Sequence, residues 1–334
     1  MNSIEALSQL GTHLKSISTN ERDDVFKKAK INNPWFTEPN LNLAWQSILR
    51  YLTRDDLNSW WDTYKIAPKP KPRKVGIIAA GNLPLVSFHD ILCTWMAGHE
   101  VLLKMSSQDQ VLWPFILEKA RELKSPLVER IQLVDRLNEA EAVIATGSDN
   151  SSRYFNYYFQ DKPHIIRKNR SSCAILDGKE SVEDLEALSH DIFQYFGLGC
   201  RNVSKLFIPR NFDYHQLSPL TNLYPNLLDH HKYANNFYYR KSIFLVNQDP
   251  FWELENILIK ESREAVSPIG VLYIEQYSKR ADLDDRIAQS ADKIQCVVSR
   301  EGWFPQSLAF GTAQQPGLNN YADQVDTLEF LLKL

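Results

Sequence analysis

The chain has 334 residues, of which 43% are hydrophobic and 24% charged, with a formal net charge of −3; it is long enough for two domains with cores of their own, and its composition is that of an ordinary globular protein. That charge does not imply a nucleic acid or an anionic membrane surface as a partner, and no run approaches the about 18 uninterrupted apolar residues of a spanning helix. Met1 to Lys15 contains no basic segment followed by an apolar run, so no export leader is expected and the cytoplasm is the expected location. Cys93, Cys173, Cys200 and Cys296 are widely spaced without a Cys-x-x-Cys pair, which predicts reduced thiols rather than a zinc site or a disulfide framework.

Residues 1–70 read as a polar segment of helical pattern that ends at Pro68-Lys69-Pro70-Lys71-Pro72, a stretch that predicts an extended connector. Beyond it, apolar strands alternate with helical stretches. Gly76-Ile77-Ile78-Ala79-Ala80-Gly81-Asn82-Leu83-Pro84 is a strand that breaks at Gly-Asn-x-Pro, and a helix is expected over Leu85 to Ala97. Gly98 to Leu103 is a second strand, closing on Lys104-Met105-Ser106-Ser107, and a helix is expected over Val111 to Leu123. Ala142 to Ala145 is a third strand, running into Thr146-Gly147-Ser148. This alternation predicts a parallel sheet with crossover helices, which binds ligands at the carboxyl ends of its strands.

From about residue 166 a second α/β unit is expected. A helix over Ser181 to Phe196 has a capping signal in Ser181 and Asp184, an apolar stripe through Leu185, Leu188 and Ile192, and a stop at Gly197 or Gly199. Cys200 follows on the loop, and the strand Ser204 to Ile208 comes next. A thiol on a tight, glycine-flanked loop between two rigid elements is placed for nucleophilic work; taken alone, a cysteine is more often buried and inert. Further strands are expected over Lys241 to Val246 and Gly270 to Glu275, and a helix over Leu283 to Ala291. Phe237-Tyr238-Tyr239-Arg240-Lys241 is read as a strand entering this unit, not as a nucleic-acid reader. His230-His231 beside Asp229 lacks a partner pair at metal-ligand spacing and is read as a solvated loop, and His89-Asp90 as a capped or core histidine.

In order and spacing, Gly81-Asn82-Leu83-Pro84, Lys104 with Ser106 and Ser107, Thr146-Gly147-Ser148, Cys200 and Glu264-Ala265-Val266-Ser267-Pro268 resemble the motifs of the aldehyde dehydrogenase superfamily. Within it, residues 82–90 and 199–206 look most like the acyl-CoA reductases related to the long-chain acyl reductase of bacterial luminescence systems. The resemblance covers about residues 70 to 334. It implies an aldehyde-dehydrogenase-like α/β fold: an N-terminal helical segment (1–70), a Rossmann-type cofactor domain (71–165, with a return of about 301–334) and a catalytic α/β domain (166–300) carrying Cys200. It implies that Cys200 is the nucleophile and Asn82 an oxyanion donor. Lys104, Ser106, Ser107, Thr146, Gly147, Ser148 and Glu264 would then bind a nicotinamide cofactor, with Glu264 on its nicotinamide ribose. It further implies an acyl-CoA or acyl-protein thioester as substrate, and assembly as a homo-oligomer.

The departures from the family pattern carry information. Hydrolytic members activate water with a Glu, and Arg167 aligns with that position; arginine cannot act as that base. An acyl-enzyme without it would exchange with a thiol such as coenzyme A, which favours an acyl thioester reductase over an NAD-dependent aldehyde dehydrogenase. A catalytically silent scaffold of the same fold is the other alternative, against which the retention of Asn82, Cys200 and Glu264 speaks. Ser151 and Ser152 stand in place of the second glycine of the Thr-Gly-Ser turn, and Val266 and Ser267 replace Phe and Gly. Where NAD-specific relatives place a Glu that repels a 2′-phosphate, this chain has Ser107, so NADPH is expected to be preferred and NADH to be possible.

Overall fold

The computed structural model describes residues 2–64 and 71–334, with the backbone alone at Asp149. The expected connector lies partly outside this range, at Pro68, Lys69 and Pro70. The chain divides into two compact units, Met1–Asn169 with Gly317–Leu334, and Arg170–Pro316.

The first unit opens with the helices α1 (Ser3–Ser16), α2 (Thr19–Asn32), α3 (Glu38–Tyr51) and α4 (Arg54–Trp61). Three of them start where a side-chain oxygen accepts the amide three residues on, Asn2 from Glu5, Ser18 from Glu21 and Thr53 from Asp56, as capping residues do. Leu7, Leu10 and Leu14 form the buried stripe of α1. They share one core with Trp45, Trp60 and the strand residues Ile77 and Leu103. The N-terminal helices are thus packed into the same apolar interior as the sheet.

That sheet follows from β1 (Lys74–Ile78), α5 (Phe88–Ala97), β2 (Glu100–Lys104), α6 (Leu112–Glu122), β3 (Ile131–Leu133), β4 (Ala142–Thr146), α7 (Asp149–Phe159) and β5 (His164–Arg167). Its order is β3-β2-β1-β4-β5, with every pairing parallel. The central strands are near-continuous apolar runs because both faces are covered by helices. From β1 the chain builds outward through β2 and β3, then resumes on the other side with β4. The carboxyl ends of β1 and β4 therefore flank a topological switch point, where such sheets take ligands.

The second unit contains β6 (Ser171–Ile175), α8 (Val182–Phe193), β7 (Val203–Pro209), α9 (His231–Asn247), β8 (Trp252–Leu254), β9 (Ile257–Glu261), β10 (Val271–Tyr277), α10 (Arg280–Gln289), β11 (Ile294–Ser299) and β12 (Leu308–Ala309). They form a sheet of order β12-β11-β6-β7-β10-β9-β8, parallel except for the β8–β9 hairpin. The strands expected over Lys241 to Val246 and Phe237 to Lys241 are instead part of helix α9. The run is rich in aromatic and β-branched residues, but its burial has helical spacing. Tyr233, Phe237 and Phe244 face inward, the two phenylalanines packing on Leu258 and Val271, while Tyr238, Tyr239, Leu245 and Val246 face outward. Tertiary packing has overridden local strand preference here.

A last helix, α11 (Thr327–Leu332), belongs to the first unit. Arg167, at the end of β5, is buried and ties this helix to α5: Nη1 donates to Asp90 Oδ2 at 2.5 Å and Nη2 to Thr327 Oγ1 at 2.8 Å. His99 adds a second tie, its Nε2 donating to Leu331 O at 2.8 Å while Nδ1 accepts from Arg73 N at 3.2 Å. Arg167→Met should leave Asp90 buried without its counter-charge and lower the unfolding free energy by about 3–5 kcal/mol. Denaturant titration checks this, and a loss below about 1 kcal/mol would contradict it.

Candidate active site

In the first unit the candidate residues lie on the turns that leave the carboxyl ends of β1, β2 and β4. The turn after β1 lies hard against the turn after β2. A Cβ on Gly81 would fall 2.3 Å from Ser106 Oγ and 2.7 Å from Gln108 Cβ, so only glycine allows the approach. Asn33 Nδ2 donates to Gly81 O at 3.1 Å. Asn32 braces the facing turn, its Nδ2 donating to Ser107 O at 3.3 Å and its Oδ1 accepting from Gln110 N at 3.4 Å.

Asn82 is half-buried on this turn, which closes at Leu85, held in the left-handed region at φ 54°. Leu85 N donates to Asp109 Oδ2 at 2.9 Å, and Asp109 N donates to Ser106 O at 3.1 Å. One buried residue, Asp109, therefore joins the two turns, by its carboxylate to one and by its backbone N–H to the other. The left-handed residue also explains why α5 starts at Phe88 and not at the expected Leu85. Lys104 is exposed at the end of β2, Ser106 is half-buried with its Oγ accepting from Gln108 N at 3.2 Å, and Ser107 is exposed.

After β4, Thr146 and Gly147 are half-buried and Ser148 caps α7, its Oγ accepting from Ser151 N at 3.2 Å. Gly147 is again a close approach, since a Cβ there would sit 2.8 Å from Ser151 Cβ and 3.0 Å from Phe155. Ser151 and Ser152, which replace the second glycine of the resemblance, are absorbed into the first turn of α7, where Ser152 N donates to Ser148 O at 2.8 Å. An exposed ammonium, several hydroxyls and a helix start at a switch point suit a phosphate-bearing nucleotide.

In the second unit Cys200 is half-buried, on the loop between α8 and β7. The capping box of Ser181 and Asp184 that starts α8 is present. The helix ends at Phe193, not Phe196, and Gly197 alone does not end it. Asn202, fully buried, turns its Nδ2 to the carbonyls of Asp191 at 3.1 Å, Ile192 at 3.2 Å and Gln194 at 2.8 Å. Its Oδ1 accepts from Gly199 N at 2.8 Å. Tyr195 (φ 53°), Phe196 (φ 58°) and Gly197 (φ 75°) then run through the left-handed region, a strained path for the first two. From β6, Ser172 Oγ donates to Cys200 O at 3.1 Å and lies 3.0 Å from Cys296 Sγ.

Burial acts on the other three thiols. It pushes the Cys173 thiol up to about 12, raises Cys93 well above the ordinary value, and raises Cys296. All three are held as neutral thiols, which are poor nucleophiles. Glu264 is exposed beyond β9, and its N donates to Ser262 Oγ at 3.1 Å. Ser204, at the start of β7, reaches the same segment, accepting from Ser267 N at 3.3 Å. The structure thus gathers Lys104, Ser106, Ser107, Asn82 and Thr146-Gly147-Ser148 on neighbouring turns of one unit, and joins the strand after Cys200 to the Glu264 segment in the other. Sequence reading missed Asn32, Asn33, Asp109 and Asn202, because their work is to hold backbone across distant elements.

His230 is the N-cap of α9, its Nδ1 accepting from Tyr233 N at 3.4 Å, so the pair with His231 opens a helix instead of lying in a loop. His89 is packed among Tyr51, Trp60 and Tyr321, with Nε2 donating to Leu318 O at 2.9 Å. Among the described residues, no cluster of three or more His, Cys, Asp or Glu side chains is placed to hold a metal ion, and no helix is long and apolar enough to cross a membrane.

The sequence profile of the acyl-CoA reductase (LuxC) family matches residues 40–218, more than half of the chain, and spans Asn82, Lys104, Thr146-Gly147-Ser148 and Cys200. The chain belongs to the LuxC acyl-CoA reductase family. It is accordingly an oxidoreductase acting on acyl or aldehyde groups. No curated protein sequence matches it. Among solved structures it is similar to the AldA indole-3-acetaldehyde dehydrogenase of P. syringae, with a TM-score of 0.69 and 11% identity over 95% of this chain and 76% of that one. An aldehyde dehydrogenase from Bacillus cereus, solved with NAD+, matches with a TM-score of 0.66 and 13% identity over 90% of this chain and 71% of that one. One from Mycobacterium tuberculosis, also with NAD+, matches with a TM-score of 0.65 and 14% identity over 90% and 73%. At these identities the likeness establishes the aldehyde-dehydrogenase-like fold of this LuxC-family member. Glu264 lies beyond the residues the family profile matches.

Burial holds the carboxyl of Asp109 at about 6, above its ordinary 3.8. Between these values the folded state binds more protons than the unfolded one, so this group's contribution to stability falls as pH rises from about 4 to about 6 and stays low above. Asp109→Asn keeps an acceptor for Leu85 N without a charge to bury. Relative to wild type, the variant should gain about 3 kcal/mol between pH 4 and pH 7. Denaturant midpoints measured across that range test this; a constant offset between the two proteins would refute it.

Proposed function

We propose that this LuxC-family chain reduces an acyl thioester, a fatty acyl-CoA or the same acyl group on a carrier protein, to the aldehyde with NADPH through an acyl-cysteine. The first unit binds the cofactor and the second carries the nucleophile. The observation that carries the choice of reductase over hydrolytic dehydrogenase is the state of Arg167, a buried guanidinium ion-paired with Asp90 where hydrolytic relatives activate water. A permanently charged donor has no lone pair with which to take a proton from water.

In the mechanism, the Cys200 thiolate attacks the acyl carbonyl carbon, a C–S bond forms, and the tetrahedral adduct collapses by expelling the coenzyme A thiolate. One thioester replaces another, so the step is close to level in energy. Asn82 and the Cys200 N–H serve as donors to the developing oxyanion, each worth on the order of 3 kcal/mol. Reduced nicotinamide, when bound, supplies the hydride that the acyl carbon takes up. The resulting thiohemiacetal oxyanion collapses, the C–S bond breaks, the aldehyde leaves and Cys200 returns as thiolate, while the expelled coenzyme A thiolate takes its proton from water. Lys104, Ser106 and Ser107 suit the adenosine ribose, Thr146, Gly147 and Ser148 the pyrophosphate, and Glu264 the nicotinamide ribose.

Mixing the protein with fatty acyl-CoA in the absence of cofactor should add one acyl mass, located on the Cys200 peptide and absent from Cys200→Ala. Acylation at Cys93, Cys173 or Cys296 instead would remove Cys200 from its role.

Cofactor choice turns on Ser107, exposed and uncharged where a Glu would repel a 2′-phosphate, while Lys104 adds a positive charge. The specificity constant should favour NADPH over NADH in wild type, and Ser107→Glu should lower it for NADPH by about tenfold or more. A wild-type preference for NADH, or undiminished NADPH use by the variant, would count against this assignment.

A further inference from the structure

Three successive peptide carbonyls in the segment after β9 each accept from a cation. Lys205 Nζ donates to Ser262 O and to Glu264 O, both at 3.1 Å, and Arg286 Nη2 donates to Arg263 O at 3.1 Å. The two cations meet on Glu275: Lys205 Nζ bonds Oε2, while Arg286 donates from Nε to Oε1 at 2.6 Å and from Nη2 to Oε2 at 3.1 Å. The three residues come from β7, β10 and α10. An ammonium has three donors, and all three on Lys205 are used.

Lys205 is buried in the middle of a sheet, with 2% of its surface exposed. If the position served only packing, an apolar residue would do as well or better, because burying charges costs more than most pairs recover. What the charges achieve here is directional: they fix the backbone of residues 262–264. Glu264 is at the end of that grip. Its carbonyl is held by Lys205 and its N–H by Ser262 Oγ, while its side chain is exposed.

We propose that Lys205, Glu275 and Arg286 are positioning residues for cofactor binding, holding the backbone of residues 262–264 so that Glu264 is presented to the nicotinamide ribose. This rests on the role given to Glu264 under the proposed function. None of the three needs to touch the cofactor. They act through the peptide groups on either side of Glu264.

The test measures NADPH dissociation constants by intrinsic tryptophan fluorescence on unacylated protein, and separately the rate of Cys200 acylation by acyl-CoA, read by intact mass. Lys205→Met and Glu264→Gln should each weaken NADPH binding about tenfold, and for Lys205→Met the loss of affinity should exceed any loss of acylation rate by about that factor. The double variant should bind no more weakly than Glu264→Gln alone, because a misplaced loop has nothing further to lose once its carboxylate is gone. Additive losses, or equal falls in affinity and acylation rate, would mean that Lys205 only supports the fold and would overturn the proposal.

Arg286→Gln releases Arg263 O while leaving the Lys205–Glu275 pair, and should weaken NADPH binding about threefold. If Lys205→Met fails to fold, unchanged affinity in Arg286→Gln overturns the proposal by itself. Wild-type protein that binds neither NADPH nor NADH, or whose affinity Glu264→Gln leaves unchanged, would overturn the reading of Glu264 and this inference with it. Binding lost in Glu264→Gln yet intact in Lys205→Met would overturn this inference alone.

Discussion

The side chain of Asn202 is what the Cys200 loop depends on. A parallel sheet needs its crossover to turn from a helix into a strand within a few residues, and the last carbonyls of a helix have no partners of their own. In this chain one buried amide receives three of those carbonyls through its nitrogen and, through its oxygen, the N–H of Gly199, the residue before Cys200. The helix end, the left-handed run at Tyr195, Phe196 and Gly197 and the loop are therefore one connected structure. An aspartate of the same shape could accept from Gly199 but could not donate to the carbonyls, so the amide is required at both ends.

The same solution recurs elsewhere with different groups. Asp109 accepts from Leu85 and so holds the turn that carries Asn82. Asp191 accepts from Gly311 N at 2.7 Å and Ala313 N at 2.9 Å, and burial pushes its carboxyl up to about 7. Lys205 and Arg286 do the complementary task for carbonyls beside Glu264. In each case a buried or half-buried polar side chain takes up backbone groups of a turn that has no strand or helix to satisfy them, as buried backbone requires. Such turns become rigid at the expense of placing titratable groups in low dielectric, and the raised carboxyls of Asp109 and Asp191 are the visible consequence.

Arg167 differs in bonding side chains and not backbone, and it has a chemical consequence as well. Its guanidinium joins β5, α5 and α11 through Asp90 and Thr327, so the residue that the proposed function sets against the water-activating acid of hydrolytic relatives is part of the first unit's interior. Changing it to a carboxylate would place two acids side by side in the core, and recovering hydrolysis by that single change would first have to overcome their repulsion.

Much of this was readable in the residues. The strands β1, β2 and β4 of the first sheet, the capping box of Ser181 and Asp184, the Gly-Asn-x-Pro and Thr-Gly-Ser breaks and the loop of Cys200 are local signals, set by backbone propensity, hydrophobic period and turn chemistry within about ten residues. So is the family, because its motifs are short and ordered along the chain. Three features were not readable. Residues 237–246 carry strand-forming side chains and form a helix, because Leu258 and Val271, distant in sequence, offer a surface on which Phe237 and Phe244 pack at helical spacing. The end of α8 was placed at a glycine and is made instead by Asn202, whose amide acts back along the chain. Asn32, Asn33, Asp109 and Arg286 carry no motif, and the run that contains Lys205 does not show its task, since each holds a backbone group belonging to a segment remote in sequence. A side chain's own chemistry is written in the sequence, but the partner that gives it work is supplied by the packing of elements against one another, and only the tertiary structure decides that.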